Sequence, residues 1–385
     1  MRVYLDHNAT TPLREEVVDA MLPVLREGFG NPSSTHAEGA LARKWVEGAR
    51  EQVAAALAAE PGDVVFTAGA TESNNAVLYG VLRAAHETSG ASHLVTTRVE
   101  HPSVVEPSEV LEREGVAVSR VEVDEDGRLD LAAFEQALDR PHTALASVIW
   151  ANNETGVLQP VEELAAAAQR RGVPLHLDAT QALGKIRFDP GEARADFLSC
   201  SAHKLNGPKG VGALVVRGGR ELPPLLAGGP QEKRRRGGTE NVAGIVGFGV
   251  ACELARLECE SRAVRYAALR DRLWQGLQKE LPRVRRNGHP DHVLPNTLNL
   301  EIPGISGEVL LQALDLEGVS ASAGAACHSG AITPSHVLSA MNRTPEQAES
   351  SLRLSVGLGV DEEQVDHVVT LVVELVARAC RAEAS

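Results

Sequence analysis

Residues 176–185 read HLDATQALGK, and residues 195–212 read ADFLSCSAHKLNGPKGVG. The first segment continues a short apolar run, which predicts a buried strand that presents Asp178 at its carboxyl end, where open α/β sheets place their ligand sites. The second segment opens with another short apolar run and passes into a loop of small and turn-forming residues that carries Lys204. The two segments therefore predict that a carboxylate and an amine meet at one cleft.

An amine and a carboxylate in one cleft favour the chemistry of pyridoxal phosphate. A lysine becomes a nucleophile toward an aldehyde when a desolvated pocket or a cationic neighbour lowers its pKa, and Lys204 is placed for this. The same cofactor needs an anion opposite its pyridine nitrogen, because the protonated ring is an electron sink, and Asp178 could supply that anion. The alternative is a structural ion pair between neighbouring strands, which must then also account for the polar residues around it.

Strands and helices alternate along the N-terminal part of the chain. Strands separated by helical segments of roughly ten residues are typical of βαβ units and a parallel sheet. We therefore predict an α/β fold with a mainly parallel sheet flanked by helices. The predicted strands are 64–67, 93–96, 116–121, 144–149, 173–177, 195–199 and 212–216, and the predicted helices between them include 103–114, 129–138 and 161–171.

The length of 385 residues exceeds that of a typical single domain, so two domains are expected. We predict a large α/β domain over residues 14–255 and a smaller α+β domain formed by residues 1–13 and 256–385. A mainly helical segment, residues 241–281, is predicted to bridge them. The pattern in the smaller domain predicts strands 296–302 and 352–356 and helices 307–315 and 362–379.

The composition narrows the classes of partner. The net charge of −14 argues against a nucleic-acid surface. The N-terminus has no apolar core of signal-peptide length, and charged residues interrupt the apolar C-terminal stretch, so we expect a cytoplasmic protein without a membrane segment. Five cysteines are an odd and sparse number, so no disulfide framework is expected. The expected partners are small molecules or proteins, and no metal site is predicted.

A strand, a small-residue loop and a helix start follow one another within residues 64–75. This arrangement aims backbone N–H groups and the positive end of a helix dipole at a phosphate. Taken alone, the segment is explained about equally well by Thr71 as an ordinary helix N-cap. The basic, glycine-rich residues 228–239 are predicted to form a solvated loop or a loop that binds a dianion.

Two further features lie in the C-terminal third. Residues 320–330 read SASAGAACHSG and have little side-chain area to pack, so we expect a mobile loop that carries the thiol of Cys327. The neighbouring His328 would lower the pKa of that thiol if the two side chains meet. Arg353 lies on a predicted strand and could hold a substrate carboxylate through two hydrogen bonds, or it could form an ion pair instead.

With these residues in place, the sequence resembles a known family, the NifS/IscS-type cysteine desulfurases. These are class V aminotransferases, fold-type I enzymes that use pyridoxal phosphate, with a large domain built on a mainly parallel sheet and a smaller α+β domain. The resemblance spans nearly the whole chain in the family's order. The motifs that carry it are LDHNATTP, GNPSS, GATESNN, EHPSV, NNETGVLQP, HLDATQALGK, SAHKLNGPKGVGAL, RRRGGTEN, NTLNL, SAGAACHSG and SSLRLSVG.

The resemblance implies the catalytic residues. Lys204 would bond the cofactor, Asp178 would face its pyridine nitrogen, and His101 would stack on its ring and move protons. Cys327 would accept the sulfur on its flexible loop. Lys204 would then take the Cα proton of L-cysteine, and the Cys327 thiolate would attack the substrate sulfur, which leaves a persulfide and releases L-alanine.

The resemblance also implies the binding residues and partners. Asn153 and Gln181 would lie near the phenolic oxygen of the cofactor, and Thr239 would come from the other subunit of a homodimer. The implied cofactor-binding residues are Ala70, Thr71, His101, Asn153, Asp178, Gln181, Ser201, His203, Lys204 and Thr239. The implied substrate-binding residues are Asn153 and Arg353. The persulfide would pass to an acceptor protein such as an iron–sulfur scaffold.

Two alternatives remain open at this point. The first is another class V lyase or aminotransferase, and a selenocysteine lyase is the closest of these, because most others need no mobile thiol. The second is a binding or scaffold protein that keeps the fold as a dimerisation module, which would not require the lysine, the carboxylate, the histidine and the cysteine together.

Overall fold

The computed structural model describes residues 2–188, 194–323, 326–328 and 331–383, with 326–328, 331–333, 380, 382 and 383 described by backbone alone. The strands, numbered in chain order, are β1 (Val3–Tyr4), β2 (Val64–Thr67), β3 (His93–Thr97), β4 (Ala117–Val121), β5 (Thr143–Ile149), β6 (Leu175–Asp178), β7 (Phe197–Ser201), β8 (Gly212–Val216), β9 (Arg285–Asn287), β10 (Thr297–Glu301), β11 (Val319–Ser320), β12 (Ser322–Ala323), β13 (Ala326–His328), β14 (Ala331–Thr333) and β15 (Ser351–Ser355). The α-helices are α1 (Glu15–Glu27), α2 (Ala37–Ala56), α3 (Ala70–Ser89), α4 (Pro102–Arg113), α5 (Leu131–Leu138), α6 (Val161–Arg170), α7 (Val242–Glu280), α8 (Gly307–Leu316), α9 (His336–Ala340), α10 (Pro345–Glu349) and α11 (Glu362–Glu383).

The larger sheet in the described part of the chain has seven strands in the order β2-β8-β7-β6-β5-β3-β4. The strands from β7 to β4 run parallel, and β8 is antiparallel to both of its neighbours. Successive residues of β8 enter different apolar clusters, since Ala213 and Val215 belong to one and Leu214 and Val216 to another. Each face of the sheet is thus covered, as central parallel strands require. The predicted α/β fold with a mainly parallel sheet is confirmed.

A glycine permits the close approach of β8 to the loop before α3. A Cβ atom added at Gly212 would lie 2.5 Å from the carbonyl oxygen of Cys200 and 2.7 Å from the Cα of Gly69. Both distances are shorter than any real Cβ contact, so a side chain here would push the two backbones apart. The start of α3 therefore stays next to the end of β7.

The smaller sheet has four antiparallel strands in the order β12-β15-β10-β9. The N-terminal strand β1 pairs with β11, so the first residues of the chain join this half of the molecule. Its apolar cluster is formed by aliphatic side chains of β10 and β15 with those of α8, α11 and the second half of α7. After β1, Asp6 forms an isolated bridge with Ser355 at the end of β15, and farther on Thr11 Oγ1 donates to the carbonyl oxygen of His203, just after β7 of the larger sheet.

Helix α7 joins the two halves without a break over 39 residues. Ile245, Phe248 and Ala255 in its first part pack in the cluster of the larger sheet, whereas Leu269 and Leu273 in its second part pack in the cluster of the smaller one. The helix has no single apolar side along its length, because it is buried by different partners in its two parts. The domain limits 14–255 and 256–385 stay a prediction.

The short helix α9 packs against the larger sheet although it follows the smaller domain in sequence. Its Val337 and Leu338, with Met341, form one cluster with Val99 and Ile149. The predicted smaller domain therefore contributes apolar side chains to both parts of the molecule.

The observed element limits differ from the predicted ones mainly at the site. The strand predicted over 195–199 is β7, two residues later, and Ser201 is its last residue instead of part of the following loop. The reason is the partner strand, since Phe197 to Ser201 pair residue by residue with Val216 to Gly212. Strands β2 and β8 have the predicted limits. Among the described residues, every helix is too short or too polar to cross a membrane.

Candidate active site

A cleft of about 680 Å³ opens where the parallel strands of the larger sheet end. It is lined by Asn8, Ala9 and Thr10 of the N-terminal segment, which the sequence did not place there. The predicted site residues that it brings together are Ala70, Thr71, His101, Asn153, Asp178, Gln181, Ser201, His203, Lys204 and Arg353. The strand ends of one sheet and one strand of the other thus face the same space.

Asp178 is the last residue of β6 and is 3% exposed. Its Oδ2 accepts a hydrogen bond from Asn74 Nδ2 (2.8 Å), and its Oδ1 accepts one from the backbone N–H of Thr180 (3.0 Å). Within the described ranges no lysine or arginine forms an ion pair with this carboxylate, so the ion pair with Lys204 that the sequence allowed is not formed. The carboxylate faces the cleft with two neutral donors and no cation.

Lys204 lies in a 3-10 turn directly after β7. Its Nζ donates to the carbonyl oxygens of Asn8 (2.7 Å) and Ala9 (2.8 Å). Burial lowers the pKa of Lys204 to about 8, and the positive charge of Arg353 acts in the same direction. A larger share of this amine is neutral near pH 7 to 8 than in an exposed lysine, as a nucleophile or base requires.

Two histidines border the cleft as neutral rings. His101 is the N-cap of α4, and its Nδ1 accepts from the backbone N–H of Ser103 (3.1 Å). Burial lowers the pKa of His101 below its ordinary value. His203 Nδ1 lies 3.2 Å from Thr10 Oγ1, and burial, with the charges of neighbouring lysines, lowers the pKa of His203 to about 4. Both rings can stack or hydrogen-bond without carrying a charge at neutral pH.

One end of the cleft is formed by the start of α3. The N-cap is Gly69, which has no side chain to accept from the helix, and Ala70 and Thr71 are the first two helical residues. The alternative of Thr71 as the N-cap is therefore wrong. The N–H groups of a first helical turn have no partner inside the helix, and together with Ser201 and His203 they form a cradle for a dianion.

Arg353 reaches the opposite side of the cleft from β15 and is 8% exposed. One of its terminal nitrogens donates to the carbonyl oxygen of Asn153 (3.0 Å), and the other pairs with Asp6 Oδ1 (2.6 Å). Its Nε is buried and has no acceptor among the described residues. The predicted alternative, an ion pair, is thus present, and Arg353 also lines the cleft.

Two predicted residues are not placed in the cleft. Thr239 borders a separate cavity of about 110 Å³ together with Gly238 and Asn241, so its contribution to the cofactor site of a partner subunit stays a prediction. The side chain of Cys327 lies outside the described residues. Its backbone belongs to β13, which pairs with β14.

Three residues that sequence reasoning missed hold the site together. Asn74 Nδ2 contacts both Asp178 and Ser103 Oγ (2.8 Å), which links the carboxylate to the start of α4. Asn8 supplies the carbonyl oxygen that Lys204 contacts. Lys185 lies behind Gln181 and is buried. The sequence could have pointed to Lys185, because it is the one charged residue among the small and apolar residues of the segment QALGKI.

These groups fit pyridoxal phosphate. The cleft offers an amine of lowered pKa at Lys204, a buried carboxylate without a cation at Asp178 and an uncapped helix start for a phosphate. Arg353 adds a buried guanidinium that lines the cleft. An aldehyde, a protonated ring nitrogen, a phosphate and a substrate carboxylate each find a complementary partner.

This combination of fold and site is that of a pyridoxal-phosphate enzyme of fold type I. The chain belongs to the aminotransferase class-V family, whose sequence profile matches residues 3–368. It is 44% identical over 376 residues to the cysteine desulfurase IscS of Dictyoglomus turgidum, covering 98% of this chain and 95% of that protein. It is 45% identical over 378 residues to the cysteine desulfurase of Gluconacetobacter diazotrophicus, covering 98% and 94%.

A solved structure described as a NifS-like protein agrees with the same assignment. It superimposes with a TM-score of 0.91 at 36% identity and covers 98% of this chain and 100% of that chain. The resemblance to the NifS/IscS type that the motifs indicated is confirmed.

Proposed function

We propose that this protein is a pyridoxal-phosphate-dependent cysteine desulfurase, which takes sulfur from L-cysteine and yields L-alanine. The observation that carries the proposal is the meeting of Lys204, Asp178 and Arg353 in one cleft of a chain of the class-V family. The identity of 44–45% to proteins named cysteine desulfurase supports the choice within that family.

The residues that would hold the cofactor divide by the part of it that they contact. Lys204 would bond it through Nζ, Asp178 would face its ring nitrogen, and His101 would lie on its ring. The phosphate would sit at the start of α3 with Ser201 and His203, and Thr239 of a second subunit would complete this end. When bound, pyridoxal phosphate supplies an electron sink for negative charge at the substrate Cα.

Once the amine of L-cysteine has replaced Lys204 on the cofactor, the freed Lys204 would also serve as the base. Its lowered pKa lets the neutral amine accept the Cα proton of L-cysteine near neutral pH. The carbonyl oxygens of Asn8 and Ala9 accept from its Nζ and so hold the amine at the rim of the cleft. The proton taken at Cα stays on Nζ until it is returned to the product.

Arg353 would bind the substrate carboxylate. Its guanidinium is held in place by Asp6 and the carbonyl of Asn153, so only a small loss of side-chain freedom accompanies binding. Arg353 lines the cleft, and its guanidinium would form a charge-assisted hydrogen bond with one carboxylate oxygen. This contact would orient the substrate with its Cα toward Lys204.

Cys327 would accept the sulfur. Its thiolate would attack the substrate sulfur, so a sulfur–sulfur bond forms as the carbon–sulfur bond breaks, and the carbon skeleton keeps the bonding electrons and gains protons to become L-alanine. The other cysteines with described side chains are poor thiolates: burial raises the pKa of Cys200 to about 12 and also raises the pKa of Cys252 and Cys259. The Cys327 persulfide would then pass its sulfur to an acceptor protein such as an iron–sulfur scaffold.

The proposal is tested by incubating the purified protein, loaded with pyridoxal phosphate, with L-cysteine and dithiothreitol. We expect alanine and sulfide in equal amounts from the unchanged protein. Cys327→Ser should keep the visible absorbance of the cofactor and lose sulfide release, while the matched control Cys259→Ser should keep both. Full activity of Cys327→Ser would refute the assigned thiol, and alanine without sulfide would refute the reaction.

A further inference from the structure

Lys185 is enclosed directly behind the wall of the cleft and is 5% exposed. Its Nζ donates to Asn8 Oδ1 (2.9 Å) and to Gln181 Oε1. Within residues 2–188, 194–323 and 334–379, no carboxylate forms an ion pair with it. Enclosing an amine among neutral partners costs free energy, and the fold tolerates that cost at a position next to two residues of the cleft.

The charged groups that face Lys185 are Lys204 and Arg353 of the cleft, and both disfavour a cation there. The ring of His7 lies near Lys185 as well, and burial lowers the pKa of His7. Burial, followed by the charges of Lys204 and Arg353, lowers the pKa of Lys185 well below its ordinary value. A neutral amine has two N–H donors, and the two acceptors Asn8 Oδ1 and Gln181 Oε1 match that number.

These contacts fix the orientation of the Gln181 amide. Because an N–H of Lys185 points at Oε1, the Nε2 group must lie on the other side, where it donates to the carbonyl oxygen of Asn8 (2.8 Å). The same carbonyl oxygen accepts from Lys204 Nζ (2.7 Å). Lys185 thus fixes the side chain of Asn8 directly, and it fixes the backbone carbonyl group of Asn8 through Gln181.

The backbone before Lys185 is built for this placement. Gly184 has φ +76°, in the left-handed region, and a Cβ there would lie 3.0 Å from Ala255 Cβ of α7. The N–H of Lys185 donates to the carbonyl oxygen of Ala182 (3.1 Å). The turn therefore brings Gly184 close to α7, and the lysine that follows it is buried.

We propose that Lys185 is a positioning residue of the active site, which holds the Gln181 amide and the Asn8 carbonyl in the one arrangement that receives the Lys204 amine. The proposal rests on the proposed function, in which Lys204 bonds the cofactor, and on the family resemblance, which implies that Gln181 lies near the phenolic oxygen of the cofactor. Without Lys185 the Gln181 amide keeps only its hydrogen bond to the Asn8 carbonyl oxygen, so the amide and that carbonyl group are held less firmly.

The first test compares Lys185→Met, which keeps the length of the side chain and removes its donors, with Lys279→Met, which removes an exposed lysine. Apo protein is titrated with pyridoxal phosphate, and the visible absorbance of the bound cofactor is followed from pH 6 to 10. We expect Lys185→Met to weaken cofactor binding about tenfold. The pH midpoint of the absorbance should also move by about half a pH unit or more. Lys279→Met should match the unchanged protein in both.

A double-mutant cycle then separates positioning from a merely structural role. If Lys185 acts through Gln181, the variant carrying both Lys185→Met and Gln181→Ala should bind the cofactor as weakly as Gln181→Ala alone. Additive losses, or a Lys185→Met protein that behaves as the unchanged one, would overturn the proposal while leaving the proposed function intact. Failure of the unchanged protein to bind pyridoxal phosphate would overturn both. If Lys185→Met does not fold, Asn8→Ala removes one of the two acceptors of Lys185, and the same weakening and the same absence of additivity are expected.

Discussion

The two sheets contribute to the cleft in different ways. The larger, mainly parallel sheet places its polar groups beyond the carboxyl ends of its strands, as with Asp178 after the apolar part of β6 and Lys204 after β7. The smaller, antiparallel sheet instead contributes Arg353 from the middle of β15, where it pairs with Asn299 on one side and Ser322 on the other. The parallel strand ends converge on the cleft, whereas the antiparallel sheet brings to it one guanidinium, which Asp6 and the Asn153 carbonyl group hold in place.

This difference predicts that mutations in the two halves affect different properties of the protein. Residues of the larger sheet should decide whether pyridoxal phosphate binds and reacts. Arg353 of the smaller sheet should decide how tightly the substrate is held, and it should also tune the lysine opposite by its charge.

The largest effect is expected on the side of the larger sheet. Lys204→Ala removes the amine that would bond the cofactor and take the Cα proton, so alanine formation should fall by about 10²- to 10⁴-fold. Borohydride treatment followed by peptide mapping should find no cofactor attached to the variant. Lys209→Ala, which removes an exposed lysine at the rim of the same cleft, is the control and should keep the attachment. Cofactor trapped on Lys204→Ala would contradict the assignment of cofactor bonding to Lys204 of the larger sheet.

A smaller effect is expected on the side of the smaller sheet. Arg353→Gln loses a charged hydrogen bond to the substrate carboxylate, a loss of about 1.5–3 kcal/mol, which corresponds to a rise in KM for L-cysteine of about 10- to 150-fold. The dissociation constant for pyridoxal phosphate should not change. Arg272→Gln, at an exposed ion pair with Asp366, controls for the loss of an arginine. Equal losses in cofactor binding and in KM would show that the two sheets do not act separately.

The smallest effect concerns the coupling between the sheets. The neutral amine of Lys204 predominates above its lowered pKa, so the rate at which the apo protein bonds an aldehyde should rise with pH and level off above about pH 8. Arg353→Gln removes a positive charge that lowers the pKa of Lys204, so the midpoint should move up by on the order of half a pH unit. Trapping with borohydride at a series of pH values measures both curves. If the midpoint measured for the unchanged protein lies near the pKa of an exposed lysine, burial does not lower the pKa of Lys204.

Much of the larger sheet could be predicted because its information is local. Apolar runs bounded by small residues mark where strands end, and the polar residues just after them, including Asp178 and Lys204, are where parallel strands place ligands. The reversed direction of β8 could not be read in the same way, since a short apolar run looks the same in either direction.

The contacts of Asn8 and Lys185 could not be predicted, because they join residues 177 positions apart. Asn74 and Asp178 are 104 positions apart and were missed for the same reason. Periodicity describes what a residue's own element looks like, and it does not say which distant segment will lie against it. The family resemblance supplied the roles of individual residues, such as Arg353, that the pattern alone left open between a substrate contact and an ion pair.

The unbroken course of α7 limits how the cleft can open. The Arg353 and Lys204 sides rest on different parts of one helix of 39 residues, and the predicted limit between domains, at residue 255, falls inside it. A hinge usually bends at a loop, and here any change in the spacing between the two cores must bend a continuous row of backbone hydrogen bonds instead. The spacing between Arg353, which would hold the substrate carboxylate, and Lys204, which would act as the base, is therefore braced by one continuous helix.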